Sequence, residues 1–231
     1  MPAGPRTSAP RSRDAERSRR AILAAATARF AAGGYEGASL AEIGAAAGLS
    51  RAAPGYFFGS KAELYEHVLR DAFARRQQAT AEAFAPVRAW CAGGRPASAL
   101  SPALRDAAEG YMLHLHRHPE FTALVMREEL AGGSRLRAAS GASTAMSDAF
   151  AAVLAAGTGR GVRAFAVEEA VLLFVSLTFA PFSYRHTLLR GLNREISSAP
   201  GRARQAELAA RQLMTLLASP RSGDRPPARR P

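Results

Sequence analysis

The stretch from residue 39 to 61, SLAEIGAAAGLSRAAPGYFFGSK, constrains this chain more than any other. Ser39 and Glu42 have the spacing of a capping box, which predicts that a helix begins at Ser39. Gly48 is suited to a left-handed helix terminus and predicts the end of that helix, and Ser50 is expected to cap a second short helix. Two short helices joined through a glycine turn are typical of a helix-turn-helix motif, and also of an ordinary helix pair in an Ala-rich bundle.

Composition excludes several classes of protein. Cys91 is the only cysteine, which excludes an internal disulfide and fits a reducing cytosol. The first twenty residues lack the apolar segment of a secretory signal. The longest apolar run, 170–182, is shorter than the roughly 20 residues needed to span a bilayer. We therefore expect a cytoplasmic protein without a membrane span.

The net charge of +12 is concentrated at the chain ends. Residues 1–20 hold six arginines against two acids, and residues 219–231 hold four arginines against Asp224. Residues 21–70 carry no net charge. The basic balance is therefore only weak support for nucleic-acid binding by the folded part of the chain.

The apolar pattern predicts an all-α chain, because its residues recur every three or four positions. The first helix runs from Asp14 to about Ala32, and a further capping box, Ser60 with Glu63, opens a long helix to about Ala85. Residues 86–102 are expected to form a loop. Later helices are predicted at 102–117, 119–131, 135–156, 163–190 and 203–218. The helix at 163–190 is so apolar that we expect it to be buried on nearly all sides, with a kink at Pro181.

A set of residues between about Arg17 and Leu69, under a third of the chain, resembles the DNA-binding domain of the TetR/AcrR family of transcriptional regulators. The matching residues are Ile22, Leu23, Ala26, Phe30, Gly34, Tyr35, Ser39, Ile43, Ala47, Gly48, Leu49, Ser50, Phe58, Ser60, Lys61 and Leu64. The chain departs from the family pattern at Pro54-Gly55, where Leu-Tyr is usual, and its tyrosine stands at Tyr56. This departure bears on which ring reaches the phosphate backbone.

The resemblance implies an N-terminal three-helix helix-turn-helix domain and a C-terminal helical domain that binds a ligand and dimerises. We predict a disordered basic arm at 1–13, the DNA-binding domain at 14–60, the effector-binding and dimerisation domain at 61–218, and a disordered tail at 219–231.

The predicted DNA-binding residues divide into those that read bases and those that contact phosphate. Arg51 is the one side chain of the recognition helix that can bond a guanine bidentately, and Ala52 and Ala53 offer apolar contact to a thymine methyl. The remaining candidates, which set position rather than sequence preference, are Arg17, Arg19, Arg20, Ser39, Ser50, Tyr56, Phe57 and Lys61. Solvated surface charge is the alternative interpretation of the three arginines of the first helix.

The family resemblance places a ligand cavity and a dimer interface in the C-terminal part. Large apolar residues that could line the cavity are Trp90, Tyr111, Leu115, Phe121, Met126, Phe150, Phe174 and Phe179, although such residues at helical spacing more often form plain core. The resemblance implies that the last two helices, at 163–190 and 203–218, pair with their copies in a second subunit as a four-helix interface, with packing inside the chain as the alternative. The last helix carries an apolar stripe for this contact: Ala206, Ala209, Ala210, Leu213, Leu216 and Leu217.

Metal binding and catalysis receive little support. His114 and His118 have the spacing at which two imidazoles on one helix share a metal, but no acidic or thiol ligand stands at a supporting offset on that helix. Cationic histidines near Pro119 can instead complement the negative end of a helix. The chain has no catalytic metal, nucleophile or phosphate-loop motif, so we expect no metal, no cofactor and no enzyme activity.

These observations predict a homodimeric DNA-binding regulator, a repressor released from a palindromic operator by a small apolar effector. Two alternatives remain open. A helical small-molecule-binding protein would bind no specific DNA, and a non-specific basic protein would bind any duplex through its charged tails, with strong dependence on salt.

Overall fold

The computed structural model of the chain describes residues 9–136 and 144–218. These ranges are helical apart from turns and connections, and within them the only β pairing is an isolated bridge between Val162 and Ala218. The predicted all-α fold is confirmed. The predicted tail at 219–231 and residues 1–8 of the predicted arm lie outside the described residues.

The described helices, with one turn of 3-10 helix at Ala97–Ala99, are numbered here in chain order. They are α1 (Ala9–Gly33), α2 (Leu40–Ala46), α3 (Ala53–Phe58), α4 (Lys61–Ala83), α5 (Ala85–Cys91), α6 (Leu100–Arg117), α7 (Pro119–Leu130), α8 (Thr144–Gly157), α9 (Val167–Thr178), α10 (Ala180–Ser183), α11 (Leu188–Gly191) and α12 (Ala199–Leu217). In these residues no helix is both long and apolar enough to cross a membrane.

Both predicted capping boxes are present. The Ser39 hydroxyl accepts the backbone N–H of Glu42, and the Glu42 carboxylate accepts the N–H of Ser39, each at 3.2 Å. At the start of α4, Glu63 accepts the Ser60 N–H at 2.7 Å, and the Ser60 hydroxyl accepts the Glu63 N–H at 3.2 Å. Each box pairs two backbone donors that a helix start otherwise leaves open, so these two helices begin where the sequence predicts.

Two predicted non-helical segments are helical. Helix α1 begins at Ala9, ahead of the predicted start at Asp14, so residues 9–13 of the predicted arm belong to it. Part of the predicted loop at 86–102 forms α5, in which Val87 and Trp90 are buried. Pro86 favours a loop by its residue type, but it lies in the first turn of α5, where the missing N–H costs no intrahelical bond.

The predicted helix at 163–190 is also corrected. It divides into α9, α10 and α11, and the first break falls at Phe179, just before Pro181. Helix α9 is not buried on all sides, since Leu172 is 68% exposed and Glu168 is also exposed. Helix α9 is therefore rich in apolar residues, but the rest of the chain leaves one side of it exposed.

The described residues form two compact units, and the first consists of residues 9–74 and 119–136. In this unit α1 packs against α2 and α7, and α2 packs against α3. Its core joins Phe30 of α1 to Tyr65 of α4, whose ring centroids lie 4.6 Å apart in an edge-to-face arrangement. Helix α7, which was predicted to lie in the C-terminal domain, packs here. The division at residue 60 between a DNA-binding domain and an effector-binding domain stays a prediction.

The second unit consists of residues 75–118 and 144–218. Helix α12 packs against α6 and α9, and α5 packs against α6 and α8. An aromatic cluster lies at its centre, in which the Phe174 ring is 5.1 Å from Phe84 and 5.6 Å from Tyr111, measured between centroids. Aromatic side chains packed in such a cluster each bury a large apolar area.

Candidate nucleic-acid interface

The turn between α2 and α3 has the geometry that the helix-turn-helix prediction requires. Gly48 has a φ of +69°, in the left-handed region that favours glycine. The N–H of Leu49 bonds to the Gly44 carbonyl at 3.0 Å, and the N–H of Gly48 bonds to the Ala45 carbonyl at 3.1 Å. These two bonds form a Schellman motif, which satisfies the open carbonyls at the end of α2 and turns the chain sharply.

Gly44 allows the close approach of α2 to the turn, a role that was not predicted from the sequence. A Cβ at this position would lie 2.5 Å from the Ser50 carbonyl oxygen and 3.1 Å from Cδ of Pro54. Both distances are shorter than ordinary contact. Every other side chain would therefore force the two helices apart, and the small-residue run before Gly48 was the signal that could have identified this contact.

Ser50 does not cap α3, contrary to the sequence prediction. The helix begins at Ala53, and its N-cap residue is Ala52. The first backbone amides of α3 therefore have no side-chain cap. Ser50 instead accepts the N–H of Ala53 through its own carbonyl at 3.0 Å, which closes a turn before the helix. Pro54 lies in the first turn, where it removes no intrahelical hydrogen bond.

The outward face of the turn and α3 is formed by the residues predicted to meet DNA. Arg51 and Ala52 are exposed, and Tyr56 is 85% exposed. Ala53 and Phe57 are half-buried. A protruding arginine and tyrosine beside small side chains form a surface that can approach the edges of base pairs closely.

Arg19 is half-buried and contacts the end of α3. Its Nη1 donates to the carbonyl of Phe57, near the end of α3, at 2.8 Å, and its guanidinium lies 4.5 Å from the centre of the Phe58 ring. It therefore ties α1 to the end of the predicted recognition helix. Arg19 therefore positions α3 in this structure, and the phosphate contact predicted for it stays a prediction.

The other phosphate candidates remain at the surface. Arg20 is exposed, and Arg17 forms an exposed ion pair with Asp14 at 2.9 Å. The ammonium of Lys61 lies 4.5 Å from the centre of the Tyr35 ring. Ser39 is committed to its capping box, but a hydroxyl oxygen that accepts one bond can still donate its proton.

Helix α7 contacts α1 and α4, the helices before and after the helix-turn-helix, through residues that no local sequence pattern brings together. Arg127 donates from Nε to the carbonyl of Ala31 at 2.8 Å and also to that of Ala32, near the end of α1. The buried carboxylate of Glu128 accepts the hydroxyl of Tyr65 at 2.8 Å, and burial together with this bond raises the pKa of Tyr65. These contacts join residues that lie more than sixty positions apart in the sequence.

The predicted ligand-binding residues are divided between the two units. Phe121 and Met126 lie on α7 in the first unit. The others belong to the second unit, where Trp90, Tyr111 and Leu115 are buried. Phe150 and Phe174 are buried against one another with ring centroids 6.1 Å apart, and Phe179 is half-buried. Much of this set packs as core, and its role in ligand binding stays a prediction.

The predicted dimer stripe on α12 is covered by its own chain. Helices α6 and α9 pack on α12. The buried members of the stripe are Ala206, Ala209, Ala210, Leu213 and Leu217, whereas Leu216 is not buried. The buried members pack inside the chain, as in the alternative given for the stripe, and its role in dimerisation stays a prediction.

A groove of about 340 Å³ lies in the second unit between α4 and α6. Its charged and imidazole side chains are Glu82 from α4, together with His114, Arg117 and His118 from the end of α6. The rings of His114 and His118 have centroids 4.6 Å apart. Among the described residues no three histidine, cysteine or acidic side chains lie where they could hold a metal ion.

Comparison with known proteins identifies the family. The sequence matches the family profile described as "Bacterial regulatory proteins, tetR family" over residues 22–68 and the profile "Tetracyclin repressor-like, C-terminal domain" over 101–212. It is 28% identical over 201 residues to the HTH-type transcriptional repressor NicS of Pseudomonas putida, an alignment that covers 84% of this chain and 89% of that protein.

Solved structures share the fold. A TetR family transcription regulator from Marinobacter aquaeolei superimposes with a TM-score of 0.63 at 18% identity, over 91% of this chain and 100% of that one. The TetR family regulator PfmR from Thermus thermophilus superimposes with a TM-score of 0.58 at 20% identity, over 84% of this chain and 97% of that one. The family profiles, the related repressor and the helix-turn-helix geometry agree: the chain belongs to the TetR family and is a DNA-binding transcriptional regulator.

Proposed function

We propose that this regulator is a sequence-specific repressor that binds a palindromic operator as a homodimer and is released by a small-molecule effector. The observation that carries the proposal is the open face of α3 and of the turn before it, with Arg51 and Ala52 exposed in the turn and Tyr56 exposed on the helix. The relative from Pseudomonas putida is named as a repressor, which supports the sign of regulation. The family is one of transcriptional regulators, which are not enzymes, and we place its action in the cytoplasm, with the DNA.

In this proposal Arg51 reads a guanine and Ala52 and Ala53 contact a neighbouring thymine methyl. Tyr56 reaches a phosphate with its hydroxyl, and its exposure leaves the ring free to move toward the backbone. Positioning also comes from Lys61 and from the set Arg17, Arg20, Ser39 and Ser50. Phe57 supports the Tyr56 ring, whose centroid lies 5.1 Å away in an edge-to-face arrangement.

The dimer is proposed to use the exposed side of α9 rather than the covered stripe of α12. Leu172 is the large apolar side chain there, with acidic residues at 168 and 169 beside it. This exposed leucine, on a helix that the resemblance places in the dimer interface, is the observation that supports the choice. Leu172→Glu should convert the dimer into a folded monomer in analytical ultracentrifugation. A dimer that persists would place the interface elsewhere.

Release by an effector is proposed to act through α4. The groove between α4 and α6 includes Ala79, Glu82 and Ala83 of α4, and the same helix begins at Lys61, directly after the helix-turn-helix in the chain. A ligand that binds one arrangement of this helix more tightly than another shifts the population between them. The separation of the two recognition helices in the dimer then changes, and operator affinity falls.

The test is a selection of duplexes from random DNA by the purified protein, repeated without residues 1–13 and with Arg51→Ala. A palindrome recovered by the first two proteins supports the proposal. Arg51→Ala should relax the preference at one position of each half-site, by about 1–3 kcal/mol.

The alternatives predict other outcomes. Lys61→Ala should weaken binding to all DNA sequences alike. Thermal unfolding of this variant is the control, which shows whether the fold survives the loss of the contact with Tyr35. Selection of no sequence by any of these proteins would leave a ligand-binding protein without specific DNA binding. Binding that disappears with residues 1–13 and is unaffected by Arg51→Ala would indicate a non-specific basic protein.

A further inference from the structure

The groove between α4 and α6 is shaped for a compact ligand. Small and apolar side chains line part of it, since Ala79, Ala83 and Leu113 face it. A Cβ at Gly110 would approach the Ala83 Cβ to 3.1 Å, so the two helices lie very close at this point. The volume of about 340 Å³ is at the lower end of ligand sites, which fits a small molecule rather than a long lipid.

Two opposite charges line this groove without pairing with each other. Glu82 extends from α4, and one of its carboxylate oxygens, Oε1, accepts the Gln78 amide at 3.0 Å. Arg117 extends from α6, and in the described part of the chain its side chain has neither an ion pair nor a hydrogen-bond partner. The second carboxylate oxygen of Glu82 and the guanidinium of Arg117 can therefore each bond a ligand.

The histidines supply the aromatic part of the groove. His114 is only 9% exposed, and the ring of His118 lies next to it at a tilt of 41°. Imidazole rings accept planar or aliphatic groups against their faces. Glu82 and Arg117 are both exposed, so a purely apolar ligand would gain nothing from either charge. A ligand with charges of its own adds a charge-assisted hydrogen bond to each of them.

From this arrangement we infer that the effector is a small zwitterion, a molecule with a carboxylate for Arg117 and a protonated nitrogen for Glu82 on a compact frame. The inference rests on the proposed effector-released function. It replaces the apolar effector expected from the aromatic residues, many of which pack against one another as core. The guanidinium bonds the carboxylate with two parallel N–H donors, and the second Glu82 oxygen accepts an N–H of the ligand.

The experiment compares three probes of similar size on the full-length protein by isothermal titration calorimetry at low salt. They are para-aminomethylbenzoate, which is a zwitterion, para-toluate, which has only the carboxylate, and benzylamine, which has only the ammonium. A fourth probe, the flexible zwitterion γ-aminobutyrate, tests a shorter distance between the two charges of the ligand. At least one zwitterion should bind about tenfold or more tightly than either single ion, the effect of one charge-assisted contact.

Matched variants assign the contacts. Arg117→Gln should abolish the advantage of the zwitterion over benzylamine, and Glu82→Gln should abolish its advantage over para-toluate. Arg105→Gln, an exposed arginine of α6 outside the groove, is the control and should bind like the natural protein. Equal binding of all probes, binding of none, or a zwitterion preference that survives Arg117→Gln would each overturn the inference.

Failure of this inference is distinguishable from failure of the proposed function. Operator binding of the same preparation is measured without any probe. A protein that selects a palindrome but binds no zwitterion remains the proposed repressor with another effector. A zwitterion that binds in the groove but leaves operator affinity unchanged supports the site and contradicts the release mechanism.

Discussion

Helices α3 and α12 both present small side chains on one face, but the surroundings of those faces are opposite. On α3 and the turn before it, Ala52 is exposed and Ala53 half-buried. On α12, Ala206 and Ala209 are completely buried, and α6 and α9 pack on that helix. The comparison teaches that small residues at helical spacing indicate close approach by another surface, and that they do not say which molecule supplies it.

The largest expected effect tests the covered face. Leu213→Ala on α12 should lower the free energy of unfolding by about 2–5 kcal/mol, because it opens a cavity in the core of the second unit. Urea denaturation measures the change. Leu130→Ala, at a position 87% exposed, is the control and should stay within about 0.5 kcal/mol. If Leu213→Ala left the stability unchanged but made the protein monomeric, the stripe would instead form the dimer interface.

The next effect tests what keeps the α3 face in position. Gly44→Ala should cost about 1–3 kcal/mol, because its Cβ would lie 2.5 Å from the Ser50 carbonyl oxygen. Gly55→Ala is the matched control, since the nearest atom to its Cβ is 4.0 Å away, on Leu40. It should be neutral or stabilise α3 by up to about 1 kcal/mol. Thermal unfolding of both variants measures the contrast, and an equal loss in the two would contradict it.

A smaller effect separates the two serines that were predicted to cap helices. Ser39→Ala should cost about 1 kcal/mol, because the N–H of Glu42 loses its acceptor. Ser50→Ala should change stability by less than about 0.5 kcal/mol, since its hydroxyl caps no helix. Chemical denaturation decides between them. If Ser50→Ala were the more costly change, the observed start of α3 would be wrong.

The smallest effect concerns pH at the start of α4. Hydrogen bonds from the backbone and side chain of Ser60 hold the pKa of Glu63 below its ordinary value. The folded state therefore gains stability from this carboxylate above its ordinary pKa and loses it as the pH falls through the lowered value. Glu63→Gln should be less stable than the natural protein at neutral pH, and the difference should shrink in acid. A difference independent of pH would show that the bonds do not depend on the charge.

Much of the first unit could be predicted because its signals are local. The capping boxes at Ser39 and Ser60 and the left-handed glycines Gly34 and Gly48 act within a few residues of one another. The start of α3 was missed because Ser50 has the chemistry of a cap but its backbone is used in the preceding turn. The role of Arg19 was missed because its partner, the carbonyl of Phe57, lies 38 residues away.

The second unit was less predictable because burial decides its helix limits. Prolines suggested a loop at 86–102, yet Val87 and Trp90 gain enough from burial to favour α5. Trp90 also donates to the Pro96 carbonyl at 3.1 Å, and the Arg160 guanidinium stacks 3.8 Å from the centre of its ring. None of these contacts follows from the spacing of residues near Trp90.

By itself the sequence determined the all-α class, the helix-turn-helix and the family, because caps, glycine turns and apolar periodicity depend on short-range geometry. Only the tertiary structure decided that the stripe of α12 faces inward, that α7 packs against α1 in the first unit, and that Glu82 and Arg117 line one groove. Those outcomes depend on which distant surfaces meet, and each surface has several partners that would bury the same apolar area. The specific choice comes from shape and hydrogen bonding across the whole unit, which no single stretch of sequence encodes.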